Sequence, residues 1–403
     1  MKTDRVNKSK LGLWLIGAYG RISASVMAGL AGIRRGLYSK VGLVSELDDF
    51  RRLDLVPLED IVVGGCDVRK SGTVEAAESL ETGAHIIGEK NLDAIRDDLL
   101  RVQEDVEEGI LLNAGEAVER FSSVKPGGNG MHIDAMIAQV QERIRRFQAR
   151  NSLRDVIVVN LASAEAFGDA AAAPETLAEL RRAIASNRKD VLSSGILYAY
   201  AAIDAGYPYV NFSPSVSSEI PAIMELAEER RVPHMGKDGK TGETLVKTVL
   251  APMFAARNLK VLSWISHNIL GNRDGAVLSD SRNARSKLEN KAAALQNILR
   301  DPGIDSQVRI DYVPSLDDWK TAWDFIHFTG FMDTRMIMQF TWQGCDSALA
   351  APLVIDLARF IEQAHREGLY GVQRQLACFF KAPTGVHEQN FAKQYRMLKR
   401  HET

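Results

Sequence analysis

The chain is poor in cysteine, in surplus charge of either sign and in long apolar runs. Its three cysteines, Cys66, Cys345 and Cys378, form no CxxC pair, which argues against a disulfide framework and a structural zinc site. The formal net charge is −2, whereas nucleic-acid-binding proteins usually carry a basic surplus. No apolar run approaches the ~20 residues that span a bilayer, and the polar N-terminus does not resemble a secretory signal. These absences predict a cytoplasmic protein without nucleic-acid or membrane partners.

The composition is that of a folded chain with a large core. Hydrophobic residues make up 45% and charged residues 25% of the 403 residues, which makes disorder improbable and suggests two domains or one large one. The sequence contains neither an internal repeat nor a low-complexity segment.

Strands and helices alternate over the first ~235 residues. LGLWLI (11–16) is typical of a strand buried on both faces, and a glycine turn and a helix follow it. A second apolar run ends in GGCDVR, and DVIVVNLAS (155–163) predicts another strand, between the helical segments 136–149 and 175–189. Residues 70–135 are acidic and helix-rich. The alternation predicts a parallel sheet with helices on both faces.

The pattern changes after residue 235. Residues 259–270, 307–316 and 336–344 alternate as half-buried strands do, and the chain is helical again from Cys345 onward. We therefore expect an α/β fold: a Rossmann-like domain of residues 1–235, completed by 348–403, with an inserted α+β catalytic domain at 236–347. An open sheet in such an insertion often pairs with another subunit.

A glycine-rich turn follows the first predicted strand. It reads Gly17-Ala18-Tyr19-Gly20-Arg21-Ile22-Ser23 and departs from GxGxxG, so it fits either a dinucleotide loop or a plain tight turn. Asp67, at the end of the second apolar run, favours the first interpretation, because a carboxylate there can accept hydrogen bonds from the ribose hydroxyls of NAD. Asp67 lies far beyond the usual interval of ~20 residues, so an insertion must separate the two elements.

Glycine, lysine and aspartate cluster between residues 236 and 291. GKDGKTGET precedes a predicted helix, and Thr241 could seat a phosphate at its N-terminus or serve as an ordinary cap. Glu243 is expected to point away from a phosphate. Lys287 and Lys291 lie four residues apart, on one face of a predicted helix. They could form a solvated basic face, or they could depress each other's pKa and supply an amine base.

Three aspartates and two histidines, within this stretch and outside it, fit ordinary local structure. Asp238, Asp274 and Asp346 stand beside glycines or small residues, where an aspartate commonly belongs to a turn. His234 and His267 are not spaced as a metal pair, and both are expected to make local hydrogen bonds.

Taken together, the motifs resemble the inositol-3-phosphate synthases, also called myo-inositol-1-phosphate synthases, in their shorter archaeal and bacterial form. Six segments carry the resemblance by their order and spacing, and residues 64–135 match least. The segments are PYVNFSPS, GKDGKTGETLVKTVLAPMFAARNLKV, SWISHNILGNRDG, SKLENK, DYVPSLDDWKTAWDFI and MQFTWQGCDSALAAPLVIDLA.

The resemblance implies a reaction, a cofactor and an assembly. The family converts D-glucose 6-phosphate to 1D-myo-inositol 3-phosphate, the first step of inositol biosynthesis, with tightly held NAD that each turnover regenerates. The steps are oxidation at carbon 5, loss of a carbon 6 proton, aldol closure of carbon 1 onto carbon 6, and reduction of the ketone. A homotetramer is the usual state, and the sequence leaves open whether a divalent or monovalent cation takes part.

The resemblance also assigns residues by motif. The implied catalytic residues are Lys287, Lys291, Lys320, Lys381, Asp238, Asp274 and Asp346. The implied substrate and phosphate-binding residues are Thr241, Gly242, Glu243, Thr244 and Asn272. The implied cofactor-binding residues are Gly17, Tyr19, Gly20, Arg21, Ile22, Asp67, Ala162, Ser163 and Ser347.

Among these lysines, Lys287 is expected to carry the hydroxyl proton at carbon 5, with Lys381 as its partner near the ketone. Lys291 and Lys320 are expected to hold the phosphate and the enolate. The chain departs from the family pattern at Arg21 and Ser23 in the glycine loop, and at Arg273 and Arg335.

Two other functions remain alternatives at this point: a simple NAD-dependent sugar-phosphate dehydrogenase, and a non-catalytic NAD-binding sensor or structural subunit. The intact set of four lysines argues against the sensor, because sensing does not require it.

Overall fold

The fold is taken from a computed structural model, which describes residues 10–166, 173–272, 275, 298, 299, 301 and 303–400. Its larger part is a seven-stranded parallel sheet in the order β11-β6-β5-β4-β1-β2-β3. The strands are β1 (Leu11–Ile16), β2 (Ile61–Asp67), β3 (Val106–Glu108), β4 (Asp155–Asn160), β5 (Tyr209–Asn211), β6 (Pro233–Gly236) and β11 (Gly371–Val372).

Helices cover both faces of this sheet, as the alternation predicts, so the predicted α/β class is confirmed. One apolar core contains residues of α1 (Arg21–Arg34), α2 (Thr73–Ala84), α3 (Glu89–Gln103) and α10 (Asp346–Arg366). The other contains residues of α5 (Ile133–Arg150), α6 (Leu177–Ala185), α7 (Ser194–Asp204) and α8 (Pro221–Arg230). The short α4 (Glu116–Glu119) and the terminal α11 (Phe391–Arg400) complete this part.

The sheet is built outward from β1, which pairs with β2 on one side and β4 on the other. The chain winds away from β1 in both directions, so the carboxyl ends of β1 and β4 form the switch point where such sheets bind ligands. The glycine of β2 next to this point, Gly65, has no room for a side chain: a Cβ there would lie 2.2 Å from the Leu15 oxygen. The close approach of β1 and β2 therefore depends on glycine at this position.

The long interval before Asp67 is an insertion between α1 and β2, as the spacing predicts. It contains three short 3-10 helices between residues 44 and 60. The Asp356 carboxylate on α10 accepts hydrogen bonds from the backbone of Val44 (2.8 Å) and Ser45 (3.0 Å). Arg359, one turn further on, donates to the Val56 oxygen at 2.8 Å. The insertion is thus hydrogen-bonded to α10, which contributes to the same apolar core as α1.

The second sheet has four strands in the order β10-β9-β7-β8. They are β7 (Lys260–Leu270), β8 (Asp305–Tyr312), β9 (Trp319–Thr329) and β10 (Arg335–Cys345), and one face packs on α9 (Glu243–Ala256). Strands β7 and β8 run parallel, whereas the other pairs are antiparallel. Buried residues alternate with more exposed ones along β7 from Trp264 and along β9 from Ala322. Strands β7, β8 and β10 correspond to the three predicted strands, whereas β9 was not predicted.

Candidate active site

One cavity of about 280 Å³ lies at the carboxyl ends of β1, β2 and β4 and extends to the start of β9 and α10. It brings together residues that are far apart along the chain. The predicted site residues that line it are Gly17, Tyr19, Gly20, Arg21, Ile22, Asp67, Ala162, Ser163, Asp238, Thr241, Asn272, Lys320, Asp346, Ser347 and Lys381. Lys287, Lys291 and Asp274 lie outside the described residues, so their predicted roles stay predictions.

The glycine loop end of the cavity fits a dinucleotide. Gly17 has a φ of 89°, which a side chain would strain, and a Cβ there would lie 3.3 Å from the Leu161 oxygen. Gly20 is the N-cap of α1. Because glycine has no side chain, it cannot cap the backbone N–H groups of the first helical turn, whose residues line the cavity. A helix N-terminus of this kind attracts phosphate groups.

Asp67 ends β2 at the same side of the cavity. Its buried carboxylate accepts a hydrogen bond from the backbone of Tyr19 at 2.8 Å. It also accepts two hydrogen bonds from the Arg69 guanidinium, at 2.9 and 3.0 Å. The carboxylate is therefore held in place, beside the glycine loop, where the ribose of NAD is expected. The residues present fit the cofactor, with Gly17, Gly20 and Asp67 holding it.

Lys381 and Asp238 form a buried ion pair in the wall of the cavity. The Lys381 Nζ donates to Asp238 Oδ1 at 2.7 Å, and the Lys381 backbone N–H donates to the Asp238 backbone oxygen, also at 2.7 Å. The two loops that carry them are joined further by backbone hydrogen bonds between Lys237 and Ala382. A residue from the C-terminal segment thus completes a site that begins in GKDG, as the resemblance implies.

Lys320 and Asp346 approach each other from the start of β9 and the start of α10. The Lys320 Nζ lies 3.8 Å from Asp346 Oδ1, and the Thr241 hydroxyl lies 3.4 Å from the same oxygen. Lys320 and Lys381, the two predicted catalytic lysines that lie in the described part of the chain, are therefore each paired with a carboxylate. Two cations and two anions give the wall little net charge before substrate enters.

The rest of the GKTGET loop leads away from the cavity. Gly242 is the N-cap of α9 without a side-chain cap, whereas Glu243 and Thr244 are buried and do not line the cavity. Glu243 pairs with Lys247 at 2.6 Å and accepts from Asn268 at 3.3 Å. Its carboxylate thus turns toward the second sheet, as expected of a charge that would repel a phosphate.

Asp318 was not predicted as a site residue, although it is buried and lines the cavity. Its carboxylate accepts from the Asn272 amide at 2.9 Å, from the Ser347 backbone at 3.1 Å and from the Ser347 hydroxyl at 2.5 Å. The signal in the sequence was the aspartate pair of DDWK, two residues before Lys320. Asp318 holds two predicted site residues in their places.

Glu165 is a second lining residue that the sequence left unassigned. It follows β4 and accepts a hydrogen bond from the Gly195 backbone, at 3.1 Å, at the N-terminus of α7. Burial raises its pKa to about 7. The sequence offered no more than a carboxylate shortly after a strand, which is a weak signal.

The two histidines differ. The His267 Nε2 lies 2.5 Å from Asp311 Oδ2, as expected of a local hydrogen bond. The prediction was wrong for His234, whose ring nitrogens both lack a hydrogen-bond partner among the described residues. The reason is its position in β6, which lies between β5 and β11, where the side chain is fully buried.

The described residues contain no group of three or more histidine, cysteine, aspartate or glutamate side chains that could hold a metal ion. No helix in the described ranges combines the length and the apolar character needed to cross a membrane. The three cysteines are free and buried.

The fold and the cavity define an α/β protein of the Rossmann-like class, in which the glycine loop of the large sheet shares one cavity with lysines of the second sheet and of the C-terminal segment. Comparison with known proteins identifies the family. A family model described as myo-inositol-1-phosphate synthase matches residues 11–401, and the chain belongs to that family.

Three relatives illustrate the similarity. Inositol-3-phosphate synthase 1 of Bacteroides thetaiotaomicron is 34% identical over 97% of this chain and 94% of its own length. Inositol-3-phosphate synthase isozyme 2 of Arabidopsis thaliana is 27% identical, with 91% and 76% covered. The crystal structure of the Caenorhabditis elegans inositol-3-phosphate synthase superposes with a TM-score of 0.86 at 25% identity, covering 98% of this chain and 86% of that one.

Family membership confirms the predicted function, an isomerase of inositol biosynthesis that converts D-glucose 6-phosphate to inositol 3-phosphate, and it confirms NAD as the cofactor. The roles of individual residues stay predictions.

Proposed function

We propose that the carbon chemistry of this NAD-dependent isomerisation takes place against the Lys381–Asp238 and Lys320–Asp346 pairs. The observation that carries the proposal is the 2.7 Å contact between the Lys381 Nζ and Asp238 in the cavity that also contains the glycine loop. NAD, when bound, supplies the hydride acceptor for carbon 5 and returns the hydride at the end of the turnover.

Lys381 acts at the carbon 5 oxygen. Its ammonium is buried and held by Asp238, so it can donate a hydrogen bond to a ketone oxygen without reorganising. That bond strengthens as negative charge develops on the oxygen during loss of the carbon 6 proton. A fixed donor in a site from which water is excluded is effective because the transition state gains more from it than the ground state does.

Lys320 and the N-terminus of α9 hold the phosphate. Lys320 is only 3.8 Å from Asp346, the Thr241 hydroxyl lies 3.4 Å from the same carboxylate oxygen, and Gly242, the next residue, is the N-cap of α9 without a side-chain cap. Phosphate at such an end is stabilised by the amides and by the helix dipole. Glu243 supports this role by directing its charge into the pair with Lys247.

The decisive measurement is incubation of the full chain with D-glucose 6-phosphate and NAD, under several cation conditions, followed by phosphorus NMR. We expect inositol phosphate with many turnovers per NAD and no accumulation of NADH. Accumulated NADH would indicate the dehydrogenase instead, and no inositol phosphate under any condition would contradict the proposal.

The residue assignment is tested separately with Lys381→Met. We expect a loss of about 10²–10³-fold in kcat, the usual effect of removing one such donor. The matched control is Lys393→Met, because Lys393 forms an exposed pair with Glu388 at 2.8 Å in the same C-terminal segment. If Lys381→Met keeps full turnover, Lys381 has no part in catalysis.

We further propose that the protein works as a homotetramer in the cytoplasm, joined through the outer face of the second sheet. That face carries the partly exposed Trp323 and Phe325, and Ile337 with 57% of its surface exposed. The β9–β10 hairpin ends in Phe331 and Met332, exposed by 90% and 81%. Large apolar side chains concentrated on one sheet face and its hairpin favour burial against another copy.

A further inference from the structure

Arg21 crosses from the glycine loop to the catalytic domain. It is the first residue of α1 and lines the cavity, and its guanidinium forms an ion pair with Asp317. A second carboxylate oxygen, Asp318 Oδ1, lies 4.0 Å from the same Arg21 nitrogen. Arginine is one of the departures of this chain from the glycine-loop pattern, so the contact is a property of this sequence.

The partner segment is held in an unusual backbone conformation. Asp317 has a φ of 49° and a ψ of −121°, a region that costs a residue other than glycine about 1–3 kcal/mol. Its carbonyl accepts a hydrogen bond from the Gly271 backbone at 3.1 Å. Gly271 must be glycine for this approach, since a Cβ there would lie 2.5 Å from the Asp317 nitrogen. Such a conformation persists only where several contacts determine it.

The same segment leads directly to groups of the active site. Asp318 accepts from Asn272 and from Ser347, and Lys320 follows two residues later. On the other side, the Trp319 indole donates to the Ala84 oxygen at the end of α2, at 3.0 Å. Residues 317–320 therefore connect the dinucleotide-binding domain with the part of the cavity wall that carries Lys320.

Charge explains why a cation is needed at this place. Without Arg21, the carboxylates of Asp317 and Asp318 would stand uncompensated near the N-terminus of α1, where the phosphates of the dinucleotide are expected. Like charges in a partly buried site repel strongly, because the effective dielectric is far below that of water. An arginine between them cancels one of the two negative charges and so weakens the repulsion.

We propose that Arg21 is a positioning residue with two effects: it shields the dinucleotide phosphates from Asp317 and Asp318, and it fastens the 317–320 segment so that Asn272 and Lys320 keep their places. The second effect rests on the proposed function, whereas the first concerns NAD binding alone. The two effects can be separated at Asp317. Removing its charge relieves the repulsion of the dinucleotide phosphates, but it also releases the 317–320 segment.

The experiment measures the Kd for NAD by calorimetric titration of the full chain after removal of bound nucleotide, together with kcat. Arg21→Ala should raise the Kd at least tenfold, and Asp317→Asn should leave it within about threefold of wild type while kcat falls. In the double variant Arg21→Ala/Asp317→Asn, removal of the Asp317 charge should reverse at least half of the increase in log Kd that Arg21→Ala causes, while kcat stays low.

Matched controls come from the other end of the same helix. Arg35 pairs with Asp98 at 2.5 Å on the surface, and Arg35→Ala should leave both the Kd and kcat unchanged. Arg21→Lys keeps the charge and should bind NAD within about threefold of wild type, which separates shielding from a folding defect.

Unchanged NAD affinity in Arg21→Ala would overturn the proposal, and so would a double variant that binds as weakly as the single one. An inactive enzyme whose affinities nevertheless follow the expected order would contradict the proposed function alone.

Discussion

Lys247 lies between two buried carboxylates where α9 packs on the second sheet. Its Nζ is 2.6 Å from Glu243 Oε1 and 4.0 Å from Asp324 Oδ1, and all three side chains are almost fully buried. Lys247→Met would leave both carboxylates buried without this ammonium. We expect it to lower the free energy of unfolding by about 3–5 kcal/mol at pH 8, the usual cost of removing one partner from a buried pair.

The size of this effect should depend on pH. Burial, and after it the charge of Glu243, raises the pKa of Asp324 to about 6. The folded protein therefore keeps a proton on Asp324 that the unfolded chain loses between about pH 4 and pH 6, so the contribution of Asp324 to stability falls as the pH rises through that window, by up to about 3 kcal/mol. Without Lys247, Asp324 protonates more readily, so the deficit of the variant should be smaller at pH 5 than at pH 8.

Urea unfolding at pH 5 and pH 8, followed by tryptophan fluorescence, measures both values. Trp264 reports on the cluster because its indole is buried and donates to Asp324 at 2.7 Å. Lys393→Met is the control, since an exposed pair contributes at most about 1 kcal/mol. The reasoning is refuted if Lys247→Met stays within about 1 kcal/mol of wild type at pH 8, or if its deficit is equal at the two pH values.

Three further predictions follow from burial and exposure. Burial lowers the pKa of His234 to about 4, so the contribution of this neutral histidine to stability is complete above pH 6.5 and falls by about 3 kcal/mol toward pH 4. In urea unfolding, His234→Leu should therefore gain stability relative to wild type as the pH falls from 6.5 to 4, whereas the exposed His85→Gln should not. Gly65→Ala puts a Cβ 2.2 Å from a β1 oxygen. It should lower the free energy of unfolding by about 3 kcal/mol, measured by thermal unfolding, and weaken NAD binding. The control Gly29→Ala, where a Cβ would meet nothing within 4 Å, should stabilise α1 by up to about 1 kcal/mol. Ile337→Asp should split the proposed tetramer in light scattering, and an intact tetramer would contradict the assigned interface.

The parts of the fold that rest on local patterns were predicted well. The buried run of β1, the glycine loop and the alternation of strands and helices are all visible within short windows, and the structure contains them. Motif order was enough to identify the family, because six segments kept their spacing. The contacts of Asp318 could not be predicted, since its partners Asn272 and Ser347 are 46 and 29 residues away and nothing local indicates which aspartate of DDWK is buried.

Tertiary structure also decided which way charged side chains point. Glu243 belongs to a loop that matches a phosphate site, yet packing of α9 on the second sheet turns it toward Lys247. His234 looked like a local hydrogen-bonding residue, but its strand places it inside the large sheet. In both cases burial against distant segments outweighed the local pattern.

Residue patterns alone were enough to predict the class of fold, the family and its reaction, because these depend on periodicity and on short motifs in a definite order. Only the tertiary structure decided that Lys381 meets Asp238, that Lys320 approaches Asp346, and that Arg21 reaches Asp317. Those contacts join segments that lie between 26 and 296 residues apart, and such distances are set by the packing of whole sheets and helices. The sequence therefore indicates which residue types the site contains, and the fold sets the distances between them.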